Sequence, residues 1–208
     1  MVVNIFGKRG SGKTTTIKGN IHFYRRPVVI VDILGNFDNP EYFHTKSISE
    51  AITQIKNYHQ SKKPEIIVVQ TGEYNLAVDY ISAALWEING GTLVLDEVDA
   101  ISFSEAPCFD QIIRYGRNHN VDIITGCRRP AELERNISAA ANKFYCFGTH
   151  DSRDIEFFQA TVFGDYAENL QRVEKFNGIF INHDDNTMGQ YRIDINGQVF
   201  HTQEATVS

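Results

Sequence analysis

The sequence predicts an α/β fold: a mainly parallel sheet with helices on both faces, followed by a small C-terminal α+β extension. Three observations carry that expectation. Short β-branched runs, apolar along their whole length, alternate with helix-like patterns. Strands with no polar face belong to a parallel sheet covered on both sides. A glycine-rich loop stands between the first such run and the first helical pattern.

Taken in order, Val2–Phe6 reads as the first strand and residues 27–34 (PVVIVDIL) as a buried β-branched one. Ser47-Ile48-Ser49-Glu50 is a capping box opening a helix to about His59, the Ser hydroxyl and the Glu carboxylate each taking a free amide of the first turn. Residues 65–71 (EIIVVQT) form the next strand. A helix covers 76–89, with Leu76, Tyr80, Ala83, Ala84 and Ile88 on one apolar face. Residues 92–95 (TLVL) make a strand closed by Asp96-Glu97. Residues 107–118 read as a helix, and 121–126 and 143–147 as strands. Between those strands, Pro130-Ala131-Glu132-Leu133 begins a helix, with Pro early, where its missing N–H costs nothing. From about Asp151 the pattern changes. Residues 151–160 and 166–176 look helical, 178–182 and 190–195 pair as a hairpin around the turn formers of 183–189, and 201–208 read as a loose tail. No repeat or linker interrupts the chain. The expectation is one domain over 1–208, with a core of 1–150, an extension of 151–200 and a tail of 201–208.

A chain of 208 residues buries roughly 70% of its unfolded surface in a single core. Its 42% hydrophobic and 22% charged residues are ordinary globular values, which excludes a wholly disordered chain or a collagen-like fibre. No apolar run approaches the roughly 18 residues of a membrane span. The net charge is −6, from 20 Lys+Arg and 26 Asp+Glu. That excludes a protein coating nucleic acid over its whole surface, so any such contact is local. Cys108, Cys127 and Cys146 have no CxxC spacing and fit a reducing compartment. The N-terminus lacks the pattern of a signal peptide. The seven histidines show no ligand spacing, so no zinc site is expected.

Gly7-Lys8-Arg9-Gly10-Ser11-Gly12-Lys13-Thr14 matches G-x-x-x-x-G-K-[ST], directly after a strand and before a helix. The glycines let the backbone turn and bring N–H groups up to phosphate oxygens. The helix N-terminus adds favourable partial charge. In this reading Lys13 reaches the β- and γ-phosphates, Thr14 coordinates Mg²⁺ with Thr15 beside it, and ATP is the nucleotide. Asp96, ending a buried strand, is the second Mg²⁺ group, and Glu97 is the general base that polarises water. A dedicated water activator favours hydrolysis over phosphate transfer to a small molecule. Asp99 reads as a loop or helix-cap residue.

Arg114 and Arg117, three apart, share one helix face, and the strand at 121–126 ends in Cys127-Arg128-Arg129-Pro130. With these motifs in hand, the chain resembles the HerA–FtsK superfamily of P-loop ATPases over roughly residues 2–150. The matching motifs are the phosphate loop Gly7–Thr14, the Asp-Glu strand Leu93–Glu97, Arg114-Tyr115-Gly116-Arg117, and Cys127-Arg128-Arg129-Pro130, with Asp32 and Gly35 resembling the family's D-x-x-G turn. The small size is similar to that of the packaging ATPases of tailless, internal-membrane viruses. The resemblance implies a RecA-like ASCE fold and a ring, pentameric or hexameric, that hydrolyses ATP to translocate double-stranded DNA into a preformed capsid. It implies work in the cytoplasm of an infected host cell or at a packaging vertex, with capsid portal and virion membrane proteins as partners. It also implies an arginine finger in trans, for which Arg114, Arg117, Arg128 and Arg129 are the candidates. Arg128 stands where the family usually has a polar Gln sensor. It can read the γ-phosphate as a charged donor or serve the neighbouring subunit.

Arg25-Arg26, Lys62-Lys63, Arg153 and Arg172 can meet a DNA backbone without regard to sequence, or act as ordinary solvated charges. The turn-rich loops 36–43 and 72–75 carry aromatics that can line a pore. Two other classes stay open: a nucleotide or small-molecule kinase, and an assembly or secretion ATPase working on protein.

Overall fold

A computed structural model describes residues 1–206. In chain order the strands are β1 (Val2–Phe6), β2 (Val28–Val31), β3 (Phe43–Thr45), β4 (Ile66–Val69), β5 (Gly91–Leu95), β6 (Val121–Cys127), β7 (Lys143–Phe147), β8 (Asn177–Asn182), β9 (Thr187–Ile193) and β10 (Val199–Thr206). The α-helices are α1 (Lys13–Asn20), α2 (Ile48–Ser61), α3 (Tyr74–Glu87), α4 (Pro107–Tyr115), α5 (Arg135–Ala140) and α6 (Ser152–Phe158). The fold is α/β. Two compact units interleave along the sequence, one holding Met1 and residues 21–124, the other residues 2–20 and 125 onward.

In the first unit β2 pairs with both β4 and β5, and β3 pairs with β4, all parallel. β2, β4 and β5 are buried at every residue. This is what continuous β-branched runs require, since no face of such a strand tolerates water. α2 begins at its Ser47 cap, where Ser47 Oγ accepts from Glu50 N at 3.3 Å. The reciprocal half of the capping box is replaced by a relay. The Ser47 amide donates to Thr45 Oγ1 at 2.9 Å, and the Thr45 hydroxyl donates to the Glu50 carboxylate. The residue just upstream intervenes because β3, a strand the sequence pattern did not signal, ends on Thr45 beside the cap.

α3 starts two residues earlier than expected and turns a different face inward. Its buried residues include Ala77, Val78, Ile81, Ala84 and Leu85, while Leu76 and Tyr80 are 42% and 50% exposed. Apolar residues nearly encircle this helix, so periodicity alone selects no face. α4 ends at Tyr115 and tightens into a 3₁₀ turn over Gly116–His119.

In the second unit β1 pairs parallel with β7, and β8, β9 and β10 follow in antiparallel succession. Aromatic rings form its core. Phe6 stacks on Phe144 at 6.1 Å and meets Phe158 edge-on at 5.3 Å, and Tyr191 meets both Tyr145 and Phe147 edge-on. One buried polar pair sits among them: Thr125 Oγ1 donates to Asn4 Oδ1 at 2.7 Å.

The expected tail is instead β10, paired with β9 from Val199–Thr206; residues 207–208 lie outside the described residues. Its turn is closed by Asp194, whose Oδ1 accepts from Asn196 N and Gln198 N, both at 2.9 Å. Three further expectations are corrected. Pro130–Glu132 is a lone 3₁₀ turn, cut off by extended Leu133, and α5 begins only at Arg135. Residues 164–172 are 3₁₀ rather than α, and 173–176 are not helical. The hairpin turn is confined to residues 183–186, because β9 begins at Thr187.

Candidate functional site

The glycine-rich loop lies in the second unit. β1 ends at Phe6, and Gly7 N donates to Cys127 O at 3.1 Å, tying the loop's start to the end of β6. Ser11 N donates to Lys8 O at 3.2 Å, closing the turn. Thr16 then donates to Gly12 O through both its amide, at 2.8 Å, and its hydroxyl, at 2.9 Å, which starts α1. Gly12 has φ +120, and a β-carbon there would fall 2.5 Å from Ile193 Cδ1 and 3.2 Å from the Phe147 ring. The loop therefore rests directly on side chains of β7 and β9, and the positive φ of Gly12 is a conformation that favours glycine.

Lys13 is buried, and its Nζ donates to Gly7 O at 2.6 Å and Lys8 O at 3.5 Å, which holds the ammonium over the loop. Ser11 is also buried, and its Oγ has no hydrogen-bond partner. A buried hydroxyl is normally satisfied, so this one points to a polar ligand in the loop. Lys8, Arg9 and Gly10 are exposed along the rim, and Thr14 and Thr15 are half-buried at the start of α1. Backbone donors, an ammonium and an open hydroxyl together suit a chain of phosphates.

The acidic group lies in the first unit, at the C-terminal ends of β2 and β5. Asp96 is buried at 4% exposure, and Asn36 Nδ2 donates to its Oδ2 at 3.3 Å. Asn36 is aimed there by Asp32, which is buried after β2. Asp32 Oδ1 accepts from Leu34 N at 3.2 Å and Asn36 N at 3.1 Å, and its Oδ2 accepts from Phe37 N at 2.8 Å and Gln70 Nε2 at 3.3 Å. A carboxylate taking several amide donors fixes a turn firmly.

Glu97 is half-buried at the strand end, and its carbonyl accepts from Tyr74 Oη at 3.3 Å. Burial, and then the charges of Asp96, Glu97, Asp99 and Asp32, hold the Tyr74 hydroxyl far above the ordinary phenol range, so it stays a donor. Asp99 lies in the 3₁₀ turn Val98–Ala100 that follows. Among the described residues no group of three or more His, Cys, Asp or Glu side chains forms a metal cage. Mg²⁺ does not require one, since it is commonly held by one or two protein groups together with substrate phosphates and water. The buried Asp96 carboxylate, steadied by an amide, fits that role.

Asn36, Gln70 and Tyr74 were not singled out by the motifs. Asn36 follows the Asp32…Gly35 turn and is legible only through it. Tyr74 and Gln70 carry no motif, and it is tertiary packing that brings them to the acidic group. Of the aromatics in the two turn-rich loops, Phe37 is fully buried, Tyr74 is half-buried and bonded to Glu97, and Tyr42 and Phe43 are half-buried.

The candidate finger arginines fall in two places. Arg114 Nε donates to Asp110 Oδ2 at 2.8 Å one helical turn away, and Arg117 is exposed in the following 3₁₀ turn. Arg128 and Arg129 are exposed just past β6. Of the basic pairs, Arg25, Arg26 and Lys62 line one cavity of about 450 Å³. Arg26 is a strut there, donating to Ile21 O at 2.7 Å and Tyr24 O at 3.0 Å, and Arg25 pairs with Asp122 at 3.3 Å.

Solved structures with the same architecture decide the fold type. The genome-packaging NTPase B204 of Sulfolobus turreted icosahedral virus 2, in complex with sulfate, matches with a TM-score of 0.73 at 14% identity, over 91% of this chain and 94% of that one. The chain has a P-loop NTPase fold. VirB4 of Thermoanaerobacter pseudethanolicus matches this P-loop fold with a TM-score of 0.60 at 10% identity, over 99% and 89% of the two chains. The conjugation coupling protein TcpA of pCW3, solved with ATPγS, matches with a TM-score of 0.58 at 12% identity, over 92% of this chain and 59% of that one. No protein-family profile and no curated protein sequence matches the chain.

Proposed function

We propose that this P-loop chain is a Mg²⁺-dependent ATPase that works as a ring and drives double-stranded DNA into a preformed viral capsid. The observation that carries the reading is a fold shared over nearly the whole of both chains with a genome-packaging NTPase, in a chain that keeps the phosphate loop and the Asp96-Glu97 strand end.

The chemistry follows from the chain's own groups. Backbone amides of the loop, Ser11 Oγ and Lys13 Nζ bind the phosphate oxygens and offset their charge. Thr14 and Asp96 are the groups suited to hold Mg²⁺, which when bound neutralises charge on the β- and γ-oxygens. Asn36 keeps the Asp96 carboxylate in one orientation. Glu97 accepts a proton from the attacking water as the water oxygen bonds to the γ-phosphorus. The bond from that phosphorus to the bridging oxygen breaks, and ADP and phosphate leave.

An arginine from a neighbouring subunit would stabilise the charge on the transferring group, an effect on the order of 10³-fold or more. Arg128 and Arg129 are exposed next to the loop's anchor at Cys127, and Arg117 is exposed on its own turn. Arg114 must first give up Asp110. A pentamer or hexamer at a capsid vertex, reached from the host cytoplasm, is the assembly this mechanism calls for. The negative net charge suits a motor whose track must slide.

Mixed assemblies test the trans role. Glu97→Gln subunits, which lack the base, are combined with subunits carrying Arg→Ala at one of the four positions. Recovery of ATP hydrolysis in the mixture for at least one position supports a finger in trans. Recovery for none contradicts it.

A further inference from the structure

The phosphate loop opens onto a cavity of about 430 Å³. That volume lies within the roughly 300–1,000 Å³ of ordinary small-molecule sites. Lys8, Arg9, Gly10 and Ser11 form one side. The other side is built by the end of β7 and the residues after it, and by the 173–176 segment that leads into β8 at Asn177, which no motif singled out. A triphosphate seated on the loop carries a nucleoside at one end, and that nucleoside needs an adjoining space.

Phe176 is the unusual residue of the segment. Its φ is +66, the left-handed region that bulky side chains seldom occupy, where a non-glycine residue marks a constrained position. The backbone is pinned there: Ile193 N donates to Phe176 O at 2.9 Å, and Asn177 N donates to Glu174 O at 3.1 Å. Ile193 is also the side chain against which Gly12 packs, so one residue of β9 sets both the loop and the Phe176 backbone. The Phe176 ring is 43% exposed at the cavity wall. Lys175 brings its ammonium to 4.8 Å from the ring centroid, adding positive charge to the same rim. Independently, the buried Ser11 Oγ on the loop side has no partner, which calls for a polar ligand in the cavity.

We infer that Phe176 is the nucleobase platform of this site: the base of a nucleoside triphosphate stacks on its ring while the phosphates lie on the loop. The inference rests on reading the loop as a phosphate site. Every base has a π-face, so stacking of this kind tolerates a change of base, and ATP and GTP should depend on Phe176 alike.

Calorimetry with Mg²⁺ and three ligands tests it: a non-hydrolysable ATP analogue, its GTP counterpart, and inorganic tripolyphosphate, which has no base. Phe176→Ala should weaken both nucleotides about 5-fold or more and leave tripolyphosphate binding unchanged, and Phe176→Tyr should restore the nucleotides. The platform is overturned if Phe176→Ala leaves nucleotide affinity as it was, or weakens tripolyphosphate equally. It is also overturned if the unaltered protein binds tripolyphosphate as tightly as it binds nucleotides, a result that keeps the loop as a phosphate site. Binding of none of the three ligands by the unaltered protein would remove the reading of the loop itself.

Discussion

A β-carbon added to Gly197 would lie 1.8 Å from the carbonyl oxygen of Thr15. The turn between β9 and β10 thus packs backbone to backbone on α1, the helix that follows the phosphate loop, and Asn20 Nδ2 fastens it by donating to Gly197 O at 3.0 Å. With φ +81, Gly197 has neither the space nor the conformation for a side chain. Gly197→Ala should destabilise the protein by roughly 2–4 kcal/mol, since it combines a backbone clash with left-handed strain. Gly164 is the control, because its φ is +53 but nothing lies within 4 Å of its would-be β-carbon. Gly164, with ψ −141, carries backbone strain without the clash, so Gly164→Ala should cost less than Gly197→Ala. Urea unfolding of both variants checks the difference, and equal losses would deny the contact its importance.

The same turn shows what was legible in the sequence and what was not. Asn196-Gly197 is a hairpin dipeptide, yet residues 201–208 are polar enough to read as a tail, so the sequence pattern does not signal β10. Its partner β9 supplies the surface that fixes it, with His201 stacked on Phe180 at 4.0 Å. By contrast β1 and β7 fall where the sequence puts them, because β1 is buried at every residue and β7 gathers three aromatic side chains in five residues, a composition that favours a strand. The phosphate loop and the Asp96-Glu97 strand end were legible for a similar reason: their chemistry is local. Asn36, Tyr74 and Ile193 act across long stretches of chain, and no local pattern announces them.

Asn36 tests how far Asp96 depends on its neighbour. Asn36→Ala removes the amide at 3.3 Å from Asp96 Oδ2 and leaves the Asp32 turn, which uses only the backbone at that position. Losing such a supporting contact typically costs about 10–100-fold in metal affinity or activity. The expected outcome is ATP hydrolysis slowed about 10-fold, partly recovered by raised Mg²⁺, with binding of free nucleotide unchanged. Steady-state rates across a Mg²⁺ titration give the answer. Unchanged rates at limiting Mg²⁺ would release Asn36 from this role.

Tyr74 gives a pH signature. Its hydroxyl titrates far higher in the folded chain than the ordinary phenol value of about 10. The folded state therefore keeps a proton that the unfolded chain loses. The contribution is fully present below about pH 10 and falls away as pH rises above it, because the unfolded chain binds fewer protons there. Tyr191, buried beside Cys146 and Tyr145, acts in the same direction. Stability measured by denaturant between pH 8 and about 11 should decline with a shallower slope in Tyr74→Phe than in the unaltered protein. At neutral pH that variant should lose about 1 kcal/mol, the usual worth of one hydrogen bond. Identical slopes would contradict a Tyr74 held neutral by burial and its acidic neighbours.

The most direct test is the steady-state rate of ATP hydrolysis by this chain with and without double-stranded DNA, in Mg²⁺, at two stated salt concentrations and with the capsid vertex supplied. A DNA-translocating ATPase predicts turnover that rises with DNA, falls about 10²-fold or more in Glu97→Gln, and loses its DNA response as salt rises and phosphate contacts weaken. Hydrolysis that ignores DNA under all of these conditions would contradict the packaging reading, even if the nucleotide site is otherwise intact.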